Sequence, residues 1–148
     1  MSAKPILAAA LVLALAAPAL AQGVASIEAR QKLMKANGAD TKAGVGFLKG
    51  ETPYDAAKAK MIFTNMHSVA TKFGGLFPAD SKTGNKTTAA PAIWSEPAKF
   101  KAAVAKFEAD TKTAMSANLD TLDAFKAQFG AVTANCKSCH EAFRIKDN

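Results

Sequence analysis

The sequence predicts an all-α protein folded as an antiparallel four-helix bundle. Three observations carry this. Apolar residues recur at three- and four-residue spacing along most of the chain, the period of a helix face rather than of a strand. Helix formers recur throughout while runs of β-branched residues are scarce. Glycine and proline divide the pattern into four amphipathic segments and a long polar connection, which suits a bundle with one crossover.

The first residues stand apart. MSAKPILAAALVLALAAPALAQ has a basic start at Lys4, an apolar run from Ile6 to Ala17, then Pro18 and the small-x-small pattern Ala19-Leu20-Ala21. This is the pattern of a cleaved secretory signal. The apolar run is short for a membrane span and has no basic stop-transfer flank. Residues 1–21 are therefore expected to be a leader and residues 22–148 a single bundle domain, exported to the periplasm and free of the membrane after cleavage. No internal repeat is visible.

The first predicted helix runs from about Ser26 to Leu48 and is closed by Gly50. Its far half, ANGADTKAGVG, is poor in helix formers and is expected to bend or fray. The second opens at Thr52-Pro53, read as an N-cap followed by proline in the first turn, and carries Met61, Ile62, Met66, Val69 and Phe73 on one stripe up to Gly74-Gly75. GLFPADSKTGNKTTAAPAIW, residues 75–94, reads as a loop with a short turn at Phe77-Pro78. The third helix opens at Ser95-Glu96-Pro97, with Phe100, Val104, Phe107 and Thr111 in line. The fourth opens near Asp120 and keeps one seam: Leu122, Phe125, Phe129, Val132, Cys136, Cys139 and Phe143. Gly130 on this helix either admits a close neighbour or marks the true start. Met61, Met66 and Met115 are read as core filling, and His67 as a boundary residue.

The formal net charge is +7, with lysines scattered among acidic residues. One Trp and one Tyr, with no alternation of aromatic and basic residues, speak against a nucleic-acid binder. The positive balance is expected to steer acidic protein partners.

The chemistry sits in NCKSCHEAFR, Asn135 to Arg144. Cys136, Cys139 and His140 lie within about one helical turn and project from one face. A redox dithiol opens a helix after a strand, where the helix N-terminus activates the first thiol; this pair comes late in a helix. A structural zinc site needs four ligands, and the only further Cys or His is His67. Cys-x-x-Cys-His is the attachment signature of haem c. Two thiols a turn apart can each bond one vinyl group of the macrocycle, and the next residue brings an imidazole to the iron. The expected cofactor is one covalently bound haem c (iron), anchored by Cys136 and Cys139 with His140 as iron ligand. Arg144 is placed to cover the imidazole edge or meet a propionate, or else is a plain exposed arginine.

With that motif near the C-terminus of a four-helix chain, the sequence resembles the cytochrome c-prime family, the class II cytochromes c. The resemblance spans residues 22–148 and rests on CKSCHEAFR, ARQKLMKANG, KGETPYDAAKAK and PAIWSEPAKF in combination. It implies that the first helix crosses the distal face of the haem. Ile27, Arg30, Gln31 and Met34 share a face of that helix. The resemblance implies that Arg30 and Gln31 lie beside the haem, Arg30 within reach of a propionate, and that Met34 falls at the residue facing the iron. The family has a high-spin branch with an open sixth position that takes NO or CO, and a low-spin branch with a methionine ligand. QKLMKANG is closer to the second. The expected function is single-electron transfer between redox partners, not enzymatic turnover, since no distal His or acid–base pair is evident. The alternative is a five-coordinate gas-binding cytochrome c-prime. Both monomer and homodimer are compatible with the sequence.

Overall fold

The computed structural model describes residues 16–145, with side chains from residue 22. The greater part of the expected leader, residues 1–15, lies outside the described residues. Residues 16–21 form the first turns of a long helix. Five helices follow in order: α1 Ala16–Leu48, α2 Ala56–Phe73, the short α3 Ala92–Ser95, α4 Pro97–Ser116 and α5 Leu122–Phe143. The four long ones form the antiparallel bundle. Among the described residues no helix is long and apolar enough to cross a membrane.

Local chemistry sets the helix ends. Gly50, at φ 69°, closes α1 in the left-handed conformation that glycine takes without steric cost. α2 begins later than the Thr52-Pro53 pattern suggests. Asp55 is its N-cap, and its carboxylate accepts from Lys58 N at 3.0 Å; a carboxylate so placed satisfies an orphan N–H of the first turn. Residues 51 and 52 instead fold back onto α1, both backbone N–H groups reaching Gly46 O. α4 starts with Pro97 as expected. Thr121 caps α5 by accepting from Ala124 N at 3.2 Å.

Two aromatic groups divide the bundle along its length. At one end Phe47, Phe63, Phe125 and Phe129 build a solid core, with Phe125 at the centre: 5.7 Å from Phe47, 5.3 Å from Phe63 and 5.1 Å from Phe129 between ring centroids. At the other end Phe73, Phe77, Trp94, Phe100 and Phe143 form a chain of edge-to-face contacts between 4.7 and 6.0 Å. This second group does not close up. It surrounds a cavity.

Three expectations need correction. Met61 is 56% exposed, so it is not core filling; Ile62 and Met66 take the inward positions of α2. The far half of α1 stays helical to Leu48 rather than fraying. Tertiary contact overrides its weak propensity: Gly44 lies against the ring of Phe129, and Asp40 accepts from Asn65 Nδ2 at 3.1 Å. Gly130 is neither a helix start nor a close approach, since α5 runs through it and a Cβ there would meet nothing within 4 Å.

These two glycines have opposite expected effects. In Gly44→Ala the new Cβ collides with the Phe129 ring, a rigid neighbour in a packed core. The expected loss is about 1–3 kcal/mol. Gly130→Ala relieves a glycine in open helix and is expected to gain up to about 1 kcal/mol. Denaturant titration of the two holo-proteins checks both signs.

Candidate haem-binding site

The cavity at the hollow end has a volume of about 590 Å³. That falls in the ordinary range for cofactor sites. α1 supplies one wall with Arg30, Gln31, Met34, Asn37 and Thr41. α5 supplies another with Cys136, Cys139, His140, Phe143 and Arg144. Phe100, Val104 and Phe107 of α4, Phe73 at the end of α2, and Thr87 to Ala89 of the long loop complete it. Every site residue named from the sequence therefore lines one cavity. His67 does not: its Nδ1 lies 3.2 Å from Thr111 Oγ1, between α2 and α4.

The two thiols are half-buried and not bonded to each other. Burial pushes both above the ordinary cysteine value, and for Cys139 the neighbouring Cys136 adds to this. A redox dithiol needs the opposite shift, toward thiolate. Burial and then the charge of Arg144 hold the His140 imidazole below its ordinary value. It is neutral near pH 7, the form that ligates a metal. Among the described residues no group of three or more His, Cys, Asp or Glu side chains is placed to hold a metal ion by itself. The donor set and the apolar walls fit a flat, mostly apolar macrocycle attached through two sulfurs.

α5 is fixed where it carries the motif. Asn135, buried beside Cys136, donates from Nδ2 to Asp110 Oδ2 at 2.7 Å and to Val132 O at 3.1 Å. That ties α5 to α4 one residue before the first thiol. After the motif the chain is held by an antiparallel bridge: Ala90 N donates to Phe143 O at 3.0 Å, and Ile145 N to Thr88 O at 2.8 Å.

Arg30 is 4% exposed and does more than border the cavity. Nη1 donates to Leu76 O at 3.1 Å and to Ser81 Oγ at 2.9 Å. Nη2 donates to Ser81 O at 2.8 Å and to Thr87 Oγ1 at 2.6 Å. Its guanidinium also lies 4.7 Å from the centre of the Phe77 ring. A guanidinium has five N–H groups, four of them terminal. All four are engaged by the 76–87 loop, leaving Nε–H for anything else. Burial lowers its pKa from the ordinary value, yet an arginine stays charged at any working pH. Gln31 is exposed and donates to Asn85 O at 3.0 Å, where Asn85 and Lys86 turn with positive φ.

Sequence reasoning did not single out Asn37, Asn135 or Thr87. Asn37 continues the Arg30–Met34 stripe at the next helical interval, so periodicity alone could have found it. The role of Thr87 depends on how a glycine-rich loop folds back, which no local pattern reports.

A four-helix bundle whose last helix presents Cys-x-x-Cys-His to an apolar cavity defines a bundle-type cytochrome c. The chain belongs to the cytochrome c′ family. The model of that family, described as Cytochrome C', matches residues 25–144. Cytochrome c' of Rhodopseudomonas palustris (strain ATCC BAA-98 / CGA009) is 40% identical over 120 residues, 81% of this chain and 82% of the relative. Cytochrome c-556 of Agrobacterium fabrum (strain C58 / ATCC 33970) is 39% identical over 121 residues, 81% of each. The solved cytochrome c' from Rhodopseudomonas palustris superposes with a TM-score of 0.79 at 38% identity, over 83% of this chain and 98% of that one. The family comprises haem-binding, electron-carrying cytochromes, and the cofactor is haem c.

Proposed function

We propose that this chain is an exported monohaem cytochrome that carries single electrons between protein partners, with iron held between His140 and Met34. The observation that carries the reading is that Met34, on α1, lines the same cavity as Cys136, Cys139 and His140, on α5. Bound haem c supplies a one-electron couple. The chain's residues do the rest. Cys136 and Cys139 anchor the group, His140 presents a neutral imidazole, and the aromatic walls give it an apolar surround, which together set the potential. Arg30, through its remaining Nε–H, and Gln31 and Arg144 at the cavity edge are read as partners of the propionates. Residues 1–21 are read as the export leader and residues 22–148 as the periplasmic domain. The protein is read as a carrier and not as an enzyme.

The test is optical. The reduced protein is expected to show a sharp low-spin spectrum that CO does not move, and Met34→Ala to become high-spin and CO-sensitive. A wild-type spectrum that is already high-spin and shifts with CO overturns Met34 ligation. It would favour the gas-binding alternative, in line with the nitric oxide complex described for a cytochrome c prime from Alcaligenes xylosoxidans. The net charge of +7, one less without Lys4 of the leader, supports acidic partners. Electron transfer from an acidic donor protein is accordingly expected to slow as salt rises; a salt-independent rate removes the steering claim.

A further inference from the structure

His140 stands in the last turn of α5, three residues before the helix ends at Phe143. Helix ends fray, because their last carbonyls have no partner within the helix. An imidazole that ligates iron from such a place needs support from outside its own helix. Here the support comes from the long loop. Ala90 N donates to Phe143 O at 3.0 Å, which satisfies the final carbonyl of α5, and Ile145 N donates to Thr88 O at 2.8 Å. Between these two bonds Ala89 faces Arg144 as an antiparallel bridge. Arg144 also returns its own N–H to His140 O at 3.2 Å. The residue pinned by the bridge therefore closes the turn that carries the imidazole.

The loop side of the bridge is itself fixed. Ala89 N donates to Thr87 Oγ1 at 3.2 Å, and the same oxygen accepts from Arg30 Nη2 at 2.6 Å. A line of hydrogen bonds thus runs from α1 through Thr87 to the end of α5. Arg144 and His140 line one cavity, and the Arg144 charge reaches the imidazole, second only to burial among the influences on it. We propose that residues 88–90 are a positioning segment for the iron ligand: their bridge to residues 143–145 fixes the last turn of α5 and keeps the Arg144 cation beside His140. A cation held there costs the ferric state more than the ferrous one, by Coulomb repulsion, and so raises the reduction potential. The bridge sets part of the potential through backbone groups alone. This rests on His140 being an iron ligand, not on Met34 or on any partner.

The test is Ile145→Pro in the holo-protein. Proline has no N–H, so the bond to Thr88 O is lost with no change of charge. Arg144, at φ −118° and ψ 134°, already has the extended backbone that a residue before proline adopts. Ile145 is 49% exposed, so its side chain supports no core. The reduction potential, read by equilibrium redox titration, is expected to fall in Ile145→Pro and to stay at the wild-type value in Ile145→Ala, which keeps the N–H. Arg144→Gln is expected to lower it as well, and Arg144→Gln/Ile145→Pro no further than Arg144→Gln, since the cation that the bridge holds is already gone. An unchanged potential in Ile145→Pro overturns the proposal. So does an equal fall in Ile145→Ala, or a fall that adds in full to that of Arg144→Gln. If proline disturbs the fold, amide hydrogen exchange of the wild type decides. The Ala90 and Ile145 N–H groups are expected to exchange slowly, and exchange at the rate of an open loop overturns the proposal. Failure of His140 as a ligand appears separately, as imidazole proton resonances of the oxidised protein that carry no shift from the iron.

Discussion

The Cys136→Ala/Cys139→Ala protein, made in cells able to attach haem c, is expected to carry no covalent haem: its band on a denaturing gel fails to stain for haem while the wild-type band stains. The reason lies in how the two sulfurs are presented. They stand on one face of α5, unbonded to each other, at the wall of a cavity of about 590 Å³. Burial raises both above the ordinary cysteine value, which favours the thiol over the thiolate. Each single variant is expected to keep haem through one bond and to stain more weakly. The double variant should also melt earlier. A group that binds only the folded chain stabilises it, and without it the ring of phenylalanines borders an unfilled space. Full haem staining of the double variant would mean that the cavity does not use these sulfurs.

Arg30→Met is expected to have the second largest effect, and on stability more than on haem retention. Methionine fills much of the same volume but supplies none of the four N–H bonds to Leu76, Ser81 and Thr87. It takes the arginine's bonds from the Leu76 and Ser81 carbonyls, while Ser81 Oγ keeps its bond to Pro78 O and Thr87 Oγ1 the one from Ala89 N. Each buried acceptor left unpaired costs about 1–3 kcal/mol. For a chain of this length that lowers Tm by roughly 10 °C. Arg30→Lys should recover little, because an ammonium cannot serve acceptors spread across a planar fork. Hydrogen exchange adds a local signature, with the 76–88 backbone losing protection before the helices do. A melting temperature within a degree or two of wild type would show that the loop stands without this residue.

Much of this was legible beforehand, for physical reasons. The four long helices announce themselves by apolar period. The seam of α5 placed Phe125, Phe129, Val132 and both cysteines on one face before any coordinates. The Cys-x-x-Cys-His spacing needs only local geometry, so it could be read directly. What escaped depends on partners far apart in sequence. Thr52-Pro53 looks like a helix start, but Asp55 three residues later is the better cap and the chain before it is drawn back onto Gly46. Met61 fits the stripe of α2, yet Ile62 and Met66 fill that interface and leave it outside. The weak half of α1 stays helical because Phe129, far along the chain, fits against the bare backbone of Gly44. The commitment of Arg30 to a loop some fifty residues away is invisible to any local pattern.

The position of α5 in the bundle has a consequence for how the protein is made. The helix that carries Cys136, Cys139 and His140 also carries Phe125 and Phe129, the centre of the solid core. It follows the other helices in chain order. As the chain emerges, α1, α2 and α4 come first, with their inner faces uncovered until the segment that bears the anchors follows. Completion of the core and delivery of the attachment site are thus one event in the life of the molecule. A chain cut short before residue 136 would lack the thiols, and one cut short before residue 125 would lack the core centre as well. Haem loading is therefore open only to a chain translated through its fifth helix.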